Sequence, residues 1–223
     1  YNLSFPAGDG CMIDDPRPVT DYGKLVIEQV HANKIVLDLS HASEATALSA
    51  ISHSKNVAPD RPVIYTHSAP LGMCKSNRNI SDAEIKACAD TGGVIAVNTS
   101  PWFLISDRAT ETRPEDIVRV ITYIRDLVGI DHVALGSDDV FSTQTMWELI
   151  RKTGKPNFGD SERARQQSEL TWQAAHTDAF GTAEAAKIYP ALTDAFWEAG
   201  YSDADIRKVL GENLLRVFAL VWD

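Results

Sequence analysis

Ile35-Val36-Leu37-Asp38-Leu39-Ser40-His41 and Val63-Ile64-Tyr65-Thr66-His67-Ser68 are short apolar runs, each carrying a histidine at or near its end. Runs of this length, rich in β-branched residues and separated by a helical segment, predict buried parallel strands of βαβ units. Polar residues at the C-terminal ends of such strands face the crevice of an α/β protein. His41 and His67 are therefore candidates for half of a metal site. Cys74-Lys75-Ser76-Asn77-Arg78-Asn79 follows the second run and brings a guanidinium, Arg78, able to hold a carboxylate.

The same rhythm continues on both sides. Thr20 or Asp21 caps a helix to about His31, and Ser43 opens one to about Ser54. Ser81-Asp82-Ala83-Glu84 is a capping box, predicting a helix to about Thr91. Strands are predicted at 35–40, 63–68, 94–100 and 133–138. Between the last two, Pro114 starts a helix whose apolar face carries Ile117, Val120, Ile121, Ile124 and Val128. Ser202 caps a last helix of packed-core character. Four β-then-α units predict an α/β fold, either a (β/α)8 barrel or a doubly wound sheet. Four strands are too few to close a barrel, which typically takes about 250 residues. A barrel would thus lack its first strands here. No glycine-rich phosphate loop follows any strand, which weakens the nucleotide-binding alternative.

Residues 141–187 break the rhythm. They are polar, carry Trp147, Trp172 and His176, and favour helix around 144–152 and 160–178. The expectation is an excursion from the mouth of the fold, acting as a lid, within a single catalytic domain spanning 1–223.

Composition narrows the function. The 223 residues carry 21 basic and 31 acidic side chains, a net charge of -10, which argues against nucleic acid as a partner. No apolar run reaches the length of a membrane span. Cys11, Cys74 and Cys88 fit neither a close-spaced metal pattern nor a disulfide framework, and leave the compartment open.

Five segments in order, Asp38-Leu39-Ser40-His41, Thr66-His67-Ser68, Cys74 to Asn79, Gly136-Ser137-Asp138 and Gly211 to Phe218, resemble the membrane (renal-type) dipeptidases, peptidase family M19. The resemblance covers the whole chain and the later part of the family's chain. It implies a TIM-type barrel with two zinc ions bridged by a glutamate and a hydroxide, hydrolysing dipeptides. It implies His41 and His67 as ligands of one zinc, Arg78 as the group gripping the substrate carboxylate, and Asp138 as the proton-handling acid. A homodimer is a family-level expectation. These residue types suit the roles, since neutral imidazole binds zinc at about 2.0–2.1 Å and guanidinium meets carboxylate as a fork.

The family's amino-terminal His-x-Asp ligand pair, its bridging glutamate and a substrate-contacting histidine lie upstream of these motifs. The expectation is that a preceding segment or chain completes the barrel. Asp138 is followed by Asp139-Val140-Phe141 rather than Phe-Asp-Gly; Gly136-Ser137 sets the register in favour of Asp138 over Asp139. Two other readings stand beside the dipeptidase. One is a tailoring amidohydrolase acting on a peptide-like metabolite, and the other a metal-free, inactive barrel used for binding. His31, His53 and His132 read as surface or structural residues, and Cys74 as structural.

Overall fold

The structure is a computed structural model that describes residues 4–105, 112–138, 143–177 and 185–223. Its centre is a parallel sheet of β1 (Leu37–Asp38), β2 (Val63–Ser68), β3 (Val94–Val97) and β4 (Val133–Leu135), in that spatial order. Leu37 pairs with Val63, Ile64 with Val94 and Ile95 with Val133. Consecutive strands lie side by side with no reversal of order. That is barrel progression rather than the switch-point order of a doubly wound sheet. The barrel is not closed among the described residues.

Each crossover helix starts where its cap lies. α1 (Asp21–Ala32) is capped by Thr20, whose hydroxyl accepts from Gly23 N, and α2 (Glu44–Val57) by Ser43, accepting from Thr46 N. α3 (Asp82–Ala89) carries the complete Ser81/Glu84 capping box. After α4 (Pro101–Leu104), α5 (Pro114–Val128) ends at Gly129, which adopts φ +95°. The outward faces of the strands (Val63, Tyr65, Ile95, Val97, Val133) meet Ile51, Ile85, Ile117, Ile121 and Ile124 in the main core.

α6 (Thr143–Thr153) and α7 (Glu162–Thr177) form the described part of the expected excursion; residues 141, 142 and 178–184 lie outside the described residues. From Ala185 the chain is helical again: α8 (Ala185–Glu198) sends Leu192 and Phe196 into the main core. α9 (Asp203–Arg207) leads through a kink at Gly211, whose backbone is not helical, into α10 (Asn213–Trp222). The last helix was expected to have packed-core character. It buries only the stripe Asn213, Val217 and Val221, which covers the inner face of the sheet (Ile64, Val94, Ala96, Ala134), and leaves Leu215 and Leu220 exposed.

Two strands are shorter than their apolar runs. β1 stops at Asp38 because that side chain turns back to accept from Ser40 N, and His41 adopts φ +73°. β3 stops at Val97 because Asn98 Oδ1 accepts from Ser100 N and Pro101 begins α4.

Glu84 is 3% exposed, accepting from Tyr65 OH and Ser81 N. Burial raises its pKa to about 7 from an ordinary 4.5. The folded state therefore holds a proton that the unfolded chain has released between pH 4.5 and 7. Stability is full below that window and falls as pH rises through it. A Gln at 84 keeps the capping geometry without the charge. Urea melts of Glu84→Gln should match the parent near pH 4.5 and show about 1–3 kcal/mol more stability at pH 8.

Candidate active site

The four residues singled out by sequence all lie at the C-terminal side of the sheet. His67 is on β2, His41 and Asp138 follow β1 and β4, and Arg78 lies in the loop between β2 and α3. His41, Arg78 and Asp138 line one cavity of about 320 Å³, at the small end of the range for ligand pockets. His41 and Asp138 both take positive φ (+73° and +56°). Side-chain-bearing residues rarely adopt that conformation, and where it occurs it clusters at functional positions.

The two imidazoles converge, with His41 Nε2 2.9 Å from His67 Nε2. Two nitrogens on one tetrahedral zinc would stand roughly 3.3 Å apart, so the pair fits two vertices of such a shell with little movement. Burial, then the Arg78 guanidinium and His67, push the His41 pKa down to about 2. Burial also lowers that of His67, against an upward pull from Asp138. Both rings are thus held neutral, the form that binds metal. Among the described residues no group of three or more His, Cys, Asp or Glu could hold a metal ion.

A polar scaffold orients His67. Thr66 Oγ1 donates to Asp38 Oδ2 (2.6 Å) and lies 2.7 Å from His67 Nδ1. A hydroxyl has one proton, and here the carboxylate takes it. His67 Nδ1–H must then donate to Thr66, which leaves the Nε2 lone pair pointing at the site. Asp38 also accepts from the backbone N–H groups of Ser40 and Thr66.

Asp138 Oδ1 lies 4.0 Å from His67 Nε2, and its Oδ2 accepts from Asn98 Nδ2 at 3.1 Å. Gly136 brings this strand end close. A Cβ there would fall 1.8 Å from the Thr66 carbonyl oxygen and 2.8 Å from Ala96 Cβ, so only glycine fits. Asp139 lies outside the described residues.

Arg78 is 6% exposed, and among the described residues its Nη1 has no hydrogen-bond partner. The guanidinium lies over the Phe103 ring at 5.7 Å and beside the Cys11 thiol, whose burial-raised pKa it partly draws back. Asp82, in the capping box that follows, accepts from Tyr123 OH. Asn79 pins the loop by donating to the Cys74 and Phe103 carbonyls at 2.8 Å each. A buried guanidinium with an unmet N–H is a ready partner for a carboxylate.

The other end of the cavity is apolar: Trp102, Phe103, Met146, Trp147, Ile150 and Phe158. Trp102 and Trp147 stack at 6.3 Å. Sequence reading named Trp147 and Trp172 only as packing or lid residues and missed Asp38, Thr66, Asn98 and Trp102 as parts of the site. The signals available were slight, such as the repeated strand-end polar residues and the Ser100-Pro101 helix start. His31 bonds Ser54 Oγ through Nε2, His53 meets Glu28 and His132 the Gly93 carbonyl, away from this cavity. His176 belongs to the His-x-Asp tripeptide His176-Thr177-Asp178. It is exposed on α7 against Trp172, and Asp178 lies outside the described residues. Cys11, Cys74 and Cys88 are buried.

The profile of the family described as Membrane dipeptidase (Peptidase family M19) matches residues 4–153. A Klebsiella pneumoniae protein named "Uncharacterized protein in pqqA 5'region" is 37% identical over 99% of this chain, and the match covers 66% of that protein. "Dipeptidase ataJ" of Aspergillus terreus is 30% identical over 84% of this chain and 36% of its own length. An amidohydrolase structure from Pseudomonas aeruginosa superposes with a TM-score of 0.73 at 27% identity, covering all of this chain and 63% of that one. The chain thus spans about two thirds or less of these relatives.

Proposed function

This chain belongs to the membrane dipeptidase family, peptidase family M19, and from that premise we propose that its protein is a zinc-dependent dipeptidase. The observation that carries the reading is Arg78: a buried guanidinium with an N–H unmet among the described residues, in the same cavity as His41, whose imidazole converges on that of His67. That combination suits a small substrate ending in a free carboxylate and cleaved close to it.

His41 and His67 would hold a metal ion in part, through Nε2, and such an ion would supply an activated water and a Lewis acid for the peptide carbonyl. The remaining ligands would come from outside the described residues, among which no group of three or more His, Cys, Asp or Glu could hold a metal. Arg78 takes the C-terminal carboxylate in a bidentate fork and fixes the distance from that end to the scissile bond. Asp138 has one oxygen held by Asn98 and the other turned toward His67, so Oδ1 is placed to take a proton and return it to the leaving amine. No helix among the described residues is long and apolar enough to cross a membrane.

Thr66→Val keeps the shape of the side chain and removes the acceptor for His67 Nδ1–H. Zinc affinity is expected to fall about 10- to 100-fold, as for other lost orienting partners of metal-bound histidines. Competition with a calibrated chelator measures it, and unchanged affinity would refute the orienting role.

The function itself is tested by comparing turnover of simple dipeptides with turnover of bulkier peptide-like amides. Preference for free dipeptides, with activity lost on amidating the C-terminus, is the expected result. Strong preference for bulky amides would favour a tailoring amidohydrolase. Absence of any hydrolysis with zinc supplied would favour a binding barrel.

A further inference from the structure

The apolar end of the cavity is not used by the chemistry proposed above, yet it is continuous with it. Arg78 lies on Phe103; Phe103 is 6.0 Å from Trp102; Trp102 stacks on Trp147 of α6. Met146, Ile150 and Phe158 extend this apolar surface, and Gln167 and Thr171 of α7 also reach the cavity. The wall therefore begins at the guanidinium that would hold a carboxylate, and runs away from it along aromatic faces.

We propose that this wall is the recess for the side chain of the substrate's carboxyl-terminal residue, and that the protein selects substrates in which that side chain is aromatic or large and aliphatic. The proposal rests on the carboxylate role of Arg78. An α-carboxylate seated on that guanidinium fixes the α-carbon within one side chain's reach of Phe103. From there toward α6 the described cavity wall is Trp102, Trp147, Met146 and Ile150, which offer ring faces and methyl groups to a substrate, with the polar Gln167 and Thr171 of α7 beside them. Burying a polar or charged side chain against those rings and methyl groups would strip its water without replacing it. A small side chain would leave the surface unfilled. An aromatic ring gains both buried area and offset stacking. Much of the wall comes from residues 146–158, so selectivity is set by the segment that interrupts the β/α rhythm rather than by the strands.

Binding can be read without turnover, using N-acetylphenylalanine in both hands, N-acetylglycine and N-acetylphenylalanine amide, titrated calorimetrically into the protein that carries this chain. N-acetylphenylalanine in at least one hand should bind about 10- to 100-fold tighter than N-acetylglycine, the range set by burying one large apolar side chain. The amide should lose that advantage because Arg78 has nothing to grip. Trp147→Ala should compress the ratio between the two acids, and Trp147→Phe should restore most of it. Should Trp147→Ala not fold, the parent protein and Trp147→Phe still decide the matter. Equal affinity for the phenylalanine and glycine acids overturns the proposal. If the phenylalanine acid binds selectively and no dipeptide is hydrolysed, the recess stands and the dipeptidase reading falls. If dipeptides are hydrolysed with no regard to the last side chain, the reverse holds.

Discussion

Asp138→Asn is expected to lower dipeptide turnover by about 10²- to 10⁴-fold, the usual contribution of a positioned acid–base group, while zinc content and melting temperature stay near those of the parent. The substitution suits such a test because it changes little else. Asparagine is among the few residues that tolerate φ +56°, so the backbone at the end of β4 keeps its course. Its amide oxygen can still accept from Asn98 Nδ2, which preserves the orientation of the group. What disappears is a carboxylate oxygen able to take up a proton 4.0 Å from His67 Nε2. The loss should therefore fall on kcat rather than on KM. Full turnover in this variant would show that Asp138 does not handle the proton.

Arg78→Met should separate binding from stability. In the free protein Arg78 is almost wholly buried, and its Nη1 is unmatched among the described residues, an arrangement that burdens the folded state. Methionine can still lie against Phe103 but carries no charge. Loss of a buried fork to a carboxylate costs about 2–5 kcal/mol, so kcat/KM should fall roughly 30- to several-thousand-fold. The ligand-free variant should melt at or above the parent's temperature, as expected where a site holds strain for function. Arg78→Lys keeps the charge without the planar fork and should recover only part of the loss. Steady-state kinetics paired with a thermal melt decide it. A variant that loses stability and keeps its affinity for dipeptides would show that Arg78 is a structural residue.

The parts of this fold written in the sequence are those with local causes. Apolar β-branched runs mark β2, β3 and β4, and Ser43, Ser81 and Ser202 mark helix starts through hydrogen bonds that span only three residues. Because strand ends and site coincide in such folds, His41 and His67 were legible as candidates from their positions, whereas Asp138 and the roles of all three came from the resemblance. The shortness of β1 was less legible. It depends on Asp38 folding back onto Ser40 and on the positive φ of His41, details a run of apolar letters does not carry. The orienting chain from Asp38 through Thr66 to His67 joins two strands 28 residues apart. The stack of Trp102 on Trp147 crosses from α4 to α6. Neither leaves a periodic signal, because each pairing is made by tertiary packing. α8 was overlooked although Leu192 and Phe196 stand one helical turn apart, since the polar stretch before it masked the change of pattern.

The account turns on whether His41 and His67 bind metal. Elemental mass spectrometry of the purified protein, prepared without chelator, gives zinc per chain directly. Close to two ions per chain, falling in both His41→Ala and His67→Ala, is the result expected of a complete M19 site. A folded protein that holds no zinc and takes up none on dialysis would contradict it, leaving the converging imidazoles as a hydrogen-bonded pair in a barrel built for binding.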